Sequence, residues 1–187
     1  MIHDPGLLDQ LTAFAPIEFS DSVFRATRKS LDPLTPSTSG GRWAPKDGVA
    51  VLYTSCTKEG AMAEICFHWS QFAPMPSKPA MLHRLRAKTK KTLRLLRADL
   101  EKLEVDWRRY GEINYTRTQE IGAAIAFLDC DGLIAPCARW DCDNLMLFLD
   151  NHQIDDGELE VVDAEEIDWH TWGKEHQVFG MPNAIRE

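Results

Sequence analysis

The order of strand and helix patterns along the chain constrains its fold more than any other feature of the sequence. Apolar runs of strand length outnumber helical patterns and do not alternate with them strictly, as a doubly wound parallel sheet would require. The predicted strands cover residues 23–26, 49–54, 133–135, 145–149 and 159–162. We therefore expect a mixed α+β fold. A chain of 187 residues fills one core, so we expect a single domain over residues 1–187.

Two segments show the apolar periodicity of amphipathic helices. The first begins after Thr57, a residue suited to an N-cap, and runs to Phe72. The second carries a capping-box pattern from Thr116 to Gln119, followed by apolar residues at the spacing of one helix face. A weaker pattern over residues 7–14 predicts a short N-terminal helix.

The composition limits the classes of partner. Lys and Arg number 21 against 29 Asp and Glu, a formal net charge of −8, so the chain has no general attraction for nucleic acid. No apolar run approaches the length of a membrane span, and the N-terminus lacks a signal-peptide pattern. Five cysteines without a CxxC motif favour a reduced, cytoplasmic protein over a secreted one held by disulfides.

One stretch, residues 80–97, is locally basic, with leucines alternating with cations. This pattern predicts two strands around a turn at residues 88–91. The simplest interpretation is the solvent-facing side of a hairpin, and the sharper one is a non-catalytic partner-binding module. Nucleic-acid binding ranks third because no aromatic residues are interleaved there. Residues 151–187 form an acidic extension, in which we expect Trp169 and Trp172 to be exposed and to support a homo-oligomer.

Two positions could carry chemistry on charged groups. Gly40 and Gly41 precede Arg42 in a turn-rich loop, where a backbone can approach a ligand closely and a guanidinium can bind a phosphate. A tight turn with a surface arginine is the alternative. Glu64 lies among small and apolar residues, so it is either on an exposed helix edge or held in a cleft, because an isolated buried charge is costly.

A third position follows the predicted strand at 133–135. Cys137 would need a depressed pKa and a base to act as the nucleophile of a cysteine hydrolase. The alternative is a small buried thiol, the more common state of a free cysteine. A zinc site from the last three cysteines and His152 lacks the usual ligand spacing, so we expect no metal.

Several short motifs, taken in order, resemble the RES domain family. That family is named for Arg, Glu and Ser residues and supplies the toxins of RES–Xre toxin–antitoxin pairs. The resemblance spans about residues 20–150 and is carried by residues 24–25, 40–43, 52–53, 61–64, 118–122, 131–139 and 144–145. Cys137 departs from the pattern, since the family has a serine there and a thiol is a weaker hydrogen-bond donor.

The resemblance implies a fold similar to ADP-ribosyltransferases, with twisted β-sheets and flanking helices, and attack on NAD at its nicotinamide–ribose bond. It implies that the catalytic residues are Glu64, Arg42 and Tyr53, and that the NAD-binding residues are Arg25, Gly40, Gly41, Trp43, Cys137 and Asn144. Glu64 would stabilise positive charge on the ribose. Arg42 and Arg25 would bind the pyrophosphate, Tyr53 would stack on the nicotinamide, and Trp43 would form a second apolar wall. No metal is needed.

The resemblance also implies partners. NAD would be a substrate, and some members of the family degrade it while others transfer its ADP-ribose to a protein. The acceptor therefore stays open between phosphate, water and a specific cellular protein. A toxin of this kind implies a cognate Xre-type antitoxin that occludes the NAD cleft.

Overall fold

The structure is a computed structural model that describes residues 3–37, 39–152 and 158–179. These residues form helices α1 (Pro5–Thr12), α2 (Lys58–Ser70), α3 (Arg97–Lys102), α4 (Thr116–Phe127) and α5 (Trp169–Glu175), with a 3-10 turn at Trp107–Arg109. The strands are β1 (Ile17–Arg28), β2 (Val51–Ser55), β3 (Ala80–Arg94), β4 (Gly132–Pro136), β5 (Asp143–Phe148) and β6 (Leu159–Ile167). The mixed α/β prediction is confirmed, and each of the five predicted strands overlaps an observed one.

The strands form one sheet in the order β1-β2-β5-β4-β3-β6. The pairings are antiparallel except for β3 with β4, which is parallel. Because β1 also pairs along most of β3, the strands β1, β2, β5, β4 and β3 close into a circuit. The ends of β2 and β5 therefore lie next to the middle of β1, beside α2.

The main core lies between this sheet and helices α1, α3 and α4. Its largest fully buried side chains include Leu11, Leu100, Ile121, Leu133 and Phe148. They come from positions that repeat at helical spacing in α4 and at strand spacing in the sheet. No helix in the described part of the chain has the length and apolar character needed to cross a bilayer.

The two predicted helix starts have different outcomes. Thr57 caps α2 as expected, because its hydroxyl accepts the backbone N–H of Gly60 at 3.1 Å. The capping box at Thr116 is wrong. Thr116 is already the first residue of α4, and its amide and hydroxyl both donate to Asn114 Oδ1, at 3.3 and 3.1 Å.

The predicted hairpin over residues 80–97 is wrong, since β3 runs without a break from residue 80 to residue 94. The stretch contains no Gly, Pro, Asn or Asp to form a turn. Its cations do not form a free basic face. Arg84 pairs with Asp163 at 2.6 Å, and Arg86 pairs with Glu160, both acids lying on β6. The acidic C-terminal segment therefore neutralises the basic strand.

The expectation of exposed C-terminal tryptophans is also wrong. Trp169 is 2% exposed and packs with Ala63, Ile65 and Cys66 of α2, while Trp172 is half-buried against the same layer. The rest of the predicted acidic extension, at residues 153–157 and 180–187, lies outside the described residues.

Candidate active site

A cavity of about 1390 Å³ opens beside α2. Arg25 projects into it from β1, Tyr53 from β2, Glu64 from α2 and Asn144 from β5. The predicted site residues that line it are Arg25, Gly40, Gly41, Arg42, Trp43, Tyr53, Glu64 and Asn144. Cys137, the remaining predicted residue, reaches the cavity through its contact with Glu64. The fold thus brings together residues that are up to 119 positions apart.

Glu64 is held in the cleft rather than on an exposed helix edge, with its side chain 27% exposed. Its Oε1 atom accepts hydrogen bonds from Cys137 Sγ and from Asn144 Nδ2, both at 3.2 Å. Asn144 is itself oriented by Ser55, whose hydroxyl donates to Asn144 Oδ1 at 2.7 Å. The second carboxylate oxygen lies 3.6 Å from His68 Nε2, one helical turn further along α2.

The surroundings of Glu64 keep it ionised. Burial alone would raise its pKa, but the interaction with His68 and the positive charges of His68, Arg139 and Arg42 outweigh it. Together they lower the pKa of Glu64 to about 2. The cavity wall therefore carries a fixed negative charge at neutral pH.

Arg42 is held by aromatic rings. Its guanidinium carbon lies 4.6 Å from the ring centres of both Tyr110 and Tyr115. Within the described ranges the guanidinium makes no hydrogen bond or ion pair. Ring faces hold the flat group through cation–π contact, so the N–H donors at its edge stay available for an anion.

Tyr53 fixes the glycine loop. Its hydroxyl oxygen accepts the backbone N–H of Trp43 at 3.1 Å, and burial raises the pKa of Tyr53 to about 12, so the phenol is neutral. A Cβ atom at position 41 would lie 2.6 Å from that hydroxyl, which explains why Gly41 stands there. Gly40 has a φ of +85°, a conformation that favours glycine.

Trp43 differs from the expected open apolar wall. The residue borders the cavity, but it is only 2% exposed and belongs to the main core. Its ring supports the loop from beneath, so little of its face is available for stacking on a ligand.

Arg25 is among the residues that line the cavity, and much of its guanidinium is buried. Nη2 donates to the carbonyl oxygen of Thr35 at 2.8 Å, while Nη1 is buried without a hydrogen-bond partner among the described residues. Burial lowers the pKa of Arg25 to about 10, which leaves it charged at neutral pH. A buried unpaired donor next to a cavity is suited to a polar ligand.

His68, Tyr115 and Arg139 were not assigned to the site from the sequence. His68 and Tyr115 line the cavity, and Arg139 lies behind it, where its charge helps to lower the pKa of Glu64. His68 follows Glu64 by four residues, and this spacing could have placed both side chains on the same face of the helix. Arg139 is 3% exposed, lies over the ring of Phe67, and has no hydrogen-bond partner for its guanidinium among the described residues. No local signal marks Tyr115, because only the packing of α4 brings it to Arg42.

Within the described ranges, no group of three or more His, Cys, Asp or Glu side chains is arranged to hold a metal ion. Around Glu64 the cavity instead combines an ionised carboxylate, the guanidinium groups of Arg25 and Arg42, and aromatic surface. Such a set can bind a phosphorylated ligand and stabilise positive charge that develops on it.

Comparison with known proteins identifies the family. The RES domain matches residues 22–170, and no match was found among curated proteins. One chain of the crystal structure of the M. tuberculosis MbcT–MbcA toxin–antitoxin complex is similar, with a TM-score of 0.78 and 20% sequence identity. The alignment covers 91% of this chain and 97% of that one, and at this identity it shows a shared fold. Because the family match covers most of the chain and includes every predicted site residue, the chain belongs to the RES domain family.

Proposed function

We propose that this protein is the toxin of a toxin–antitoxin pair and that it cleaves the nicotinamide–ribose bond of NAD. The observation that carries the proposal is the ionised Glu64 carboxylate on the wall of a cavity that Arg25 and Arg42 also line. Membership of the RES family and the fold shared with a chain of a toxin–antitoxin complex support it. The expected compartment is the cytoplasm.

The chemistry needs a fixed negative charge beside the ribose. When the bond from C1′ to the nicotinamide nitrogen breaks, the electron pair leaves with nicotinamide, which departs neutral. Positive charge then builds on the ribose, as in glycoside cleavage. Glu64, held by Cys137 and Asn144, would stabilise that charge without the cost of reorienting at the moment of reaction.

The two guanidinium groups would bind the pyrophosphate of NAD, which lies on the ADP-ribose side of the bond that breaks. Among the described residues, nothing pairs with the edge donors of Arg42 or with the buried Nη1 of Arg25. Both suit the pyrophosphate of NAD, because planar guanidinium groups bind phosphate oxygens through two parallel hydrogen bonds. Tyr53 would act by fixing the glycine loop under the ligand.

Two other hypotheses receive less support. As a cysteine nucleophile, Cys137 would need a lowered pKa, but the neighbouring Cys142 side chain and burial raise the pKa of Cys137. His152, the histidine that follows Cys137 most closely in the sequence, lies instead with Nε2 2.7 Å from the carbonyl oxygen of Lys88. A partner-binding module on the basic strand is disfavoured because β6 pairs with Arg84 and Arg86.

A cognate antitoxin of Xre type would cover the mouth of the cavity. Phe72 lines the cavity and is 59% exposed, an apolar group that a protein partner would bury. Occlusion of the cavity would prevent NAD from reaching Glu64 and would protect the host cell.

The test is a time course of NAD followed by proton NMR, with purified protein and with or without phosphate. Glu64→Gln keeps the shape of the side chain and removes its charge, so we expect NAD cleavage to fall by about 100-fold or more. Glu59→Gln is the matched control, since Glu59 is an exposed acid on the same helix. Equal cleavage by wild type and Glu64→Gln would exclude Glu64 from the reaction.

The same reaction identifies the acceptor. ADP-ribose 1″-phosphate formed only with phosphate indicates phosphorolysis, and free ADP-ribose indicates hydrolysis. If neither forms, adenine-labelled NAD is incubated with cell lysate, and label on one protein band indicates ADP-ribosylation of a specific protein. Intact NAD under all three conditions would contradict the proposed function.

A further inference from the structure

Two cysteines face each other where β4 and β5 separate, next to Glu64. The strand pairing ends at Pro136 and Asp143, and the next residue on each side is a cysteine. The backbone N–H of Cys137 donates to the carbonyl oxygen of Cys142 at 2.8 Å, which continues the ladder by one step. Facing residues of an antiparallel pair lie about 5.5 Å apart at Cα, within the range that a disulfide requires.

Both sulfur atoms lie against the same face of α2. Cys137 Sγ is 3.2 Å from Glu64 Oε1. Cys142 Sγ lies one turn earlier, where a Cβ atom at Gly60 would approach it to 2.5 Å. Because Gly60 and Glu64 are four residues apart on one helix face, the two thiols lie side by side.

The two thiols differ in exposure and acidity. Cys142 is partly exposed and Cys137 is buried. The neighbouring Cys137 side chain, opposed by burial and assisted by Thr57, lowers the pKa of Cys142. The neighbouring Cys142 sulfur, together with burial, raises the pKa of Cys137. An accessible thiol of lowered pKa beside a buried partner is the arrangement in which the first reacts with an oxidant and the second resolves it.

We propose that Cys137 and Cys142 are a peroxide-sensitive dithiol, and that their oxidation to a disulfide takes the thiol donor away from Glu64 and slows NAD cleavage. The effect on NAD rests on the proposed function, whereas the formation of the disulfide does not.

The oxidation balances with hydrogen peroxide as the oxidant. The Cys142 thiolate attacks one peroxide oxygen, the O–O bond breaks, and the departing hydroxide takes up a proton to give water and a Cys142 sulfenic acid. Cys137 then loses its proton and attacks the sulfenic sulfur, the S–O bond breaks, and a second water leaves. Two thiols lose two electrons in all, and one peroxide is reduced to two waters.

The disulfide changes the contacts of the carboxylate. Cys137 would have no S–H to donate, so of the two donors at Glu64 Oε1 only Asn144 would remain. Hydrogen bonds to charged groups are among the stronger ones in proteins, and the loss of one corresponds to roughly tenfold or more in rate. We expect a fall in NAD turnover of that size, reversed by dithiothreitol.

The disulfide is tested first, independently of NAD. Trypsin cleaves after Arg139, between the two cysteines, so the reduced protein gives separate peptides 118–139 and 140–174. After treatment with stoichiometric hydrogen peroxide we expect these peptides to be linked, and to separate again on reduction. Peptide 118–139 also contains Cys130, so the link must persist in Cys130→Ser if Cys137 forms it. Cys142→Ser should give no link. Failure of the wild-type protein to form the link would overturn the dithiol, whatever the protein does to NAD.

NAD turnover is then measured before and after peroxide treatment. We expect the wild type to slow and Cys142→Ser to keep its rate. Cys56→Ser is the matched control, because Cys56 is the other partly exposed cysteine and its loss should leave peroxide sensitivity intact. A link without slowing, or equal inactivation of Cys142→Ser, would overturn the switch. A reduced wild type that leaves NAD intact contradicts the proposed function and the switch, but not the linked peptides.

Discussion

The position of Arg42 between two tyrosine rings explains how one residue can be both fixed and free to bind. The guanidinium carbon of Arg42 lies 4.6 Å from the ring centres of both Tyr110 and Tyr115. A carboxylate partner would have occupied its edge donors, whereas aromatic faces leave them unpaired.

Replacement of Arg42 by lysine keeps the charge but loses the flat group that the rings hold. Because an ammonium cannot bind two phosphate oxygens through parallel donors, we expect the KM for NAD to rise by about tenfold, with a smaller change in kcat. Steady-state NAD kinetics measure both. Arg97→Lys is the control, since Arg97 lies over Trp107 at 5.1 Å but does not line the cavity. An unaltered KM for Arg42→Lys would exclude a phosphate-binding role.

The state of Glu64 shows where local sequence information ends. Its neighbours on α2 allow either an exposed edge or a cleft. The choice is made by Cys137 and Asn144, which come from 73 and 80 positions further along the chain. Periodicity describes one helix at a time, so it cannot supply partners from β5 and from the turn that precedes it. The family motifs placed these residues in one pocket where spacing alone could not.

At the scale of elements, α4 positions the glycine loop through a close contact of backbones. A Cβ atom at Gly122 would lie 1.9 Å from the carbonyl oxygen of Trp43. One turn earlier, Gln119 Nε2 donates to the carbonyl oxygen of Gly41 at 2.9 Å. The glycine therefore permits an approach that no other residue allows, and the loop that carries Arg42 rests on the helix.

Gly122→Ala tests this contact, because the sign of the change in the free energy of unfolding depends on whether the contact exists. In an exposed helix interior the change would stabilise by about 1 kcal/mol. Here overpacking should lower the free energy of unfolding by about 1–3 kcal/mol and displace the loop, reducing NAD turnover. Urea unfolding gives the first value. Gly6→Ala is the control, because the nearest atom to its added methyl is Asp4 Oδ1 at 3.6 Å, an ordinary contact. A stabilised Gly122→Ala would contradict the close packing.

The sequence predicted that residues 80–97 are strand, but it did not predict that they form one continuous strand. The β3 stretch alternates apolar and charged residues over residues 84–88, and the five residues at 88–92 are all Lys or Thr. Polarity at residues 88–91 favoured a turn, but the three lysines there are exposed on a continuous strand, and Thr89 is buried in a hydrogen bond with Thr92. Glu158 and Glu160 supply acids near that region, Glu158 lying 3.1 Å from Lys90 Nζ. The sequence of β3 alone cannot show which neighbouring strand will supply the acids that pair with its cations.

At the scale of the whole molecule, the C-terminal segment is part of the core that supports the site. Trp169 packs edge-on against Trp69 of α2, with ring centres 5.3 Å apart, and its indole N–H donates to the carbonyl oxygen of Lys78 at 3.1 Å. Cys66 Sγ reaches the Trp169 carbonyl oxygen at 3.1 Å. The face of α2 opposite Glu64 is thus closed by α5, which sequence patterns had assigned to an exposed acidic extension.

Trp169→Ala should therefore destabilise the protein far beyond the loss of a surface tryptophan. Truncation of a fully buried aromatic side chain costs about 3–5 kcal/mol, a large part of the total stability of about 5–15 kcal/mol that a domain of this kind has. Urea unfolding measures the loss. The control is Phe72→Ala, because the Phe72 side chain is 59% exposed and its removal should change the free energy of unfolding by less than about 0.5 kcal/mol.

Equal effects of the two substitutions would mean that α5 does not close on α2. A large effect for Trp169→Ala alone would mean that the helix carrying Glu64 depends on a segment more than 100 residues away.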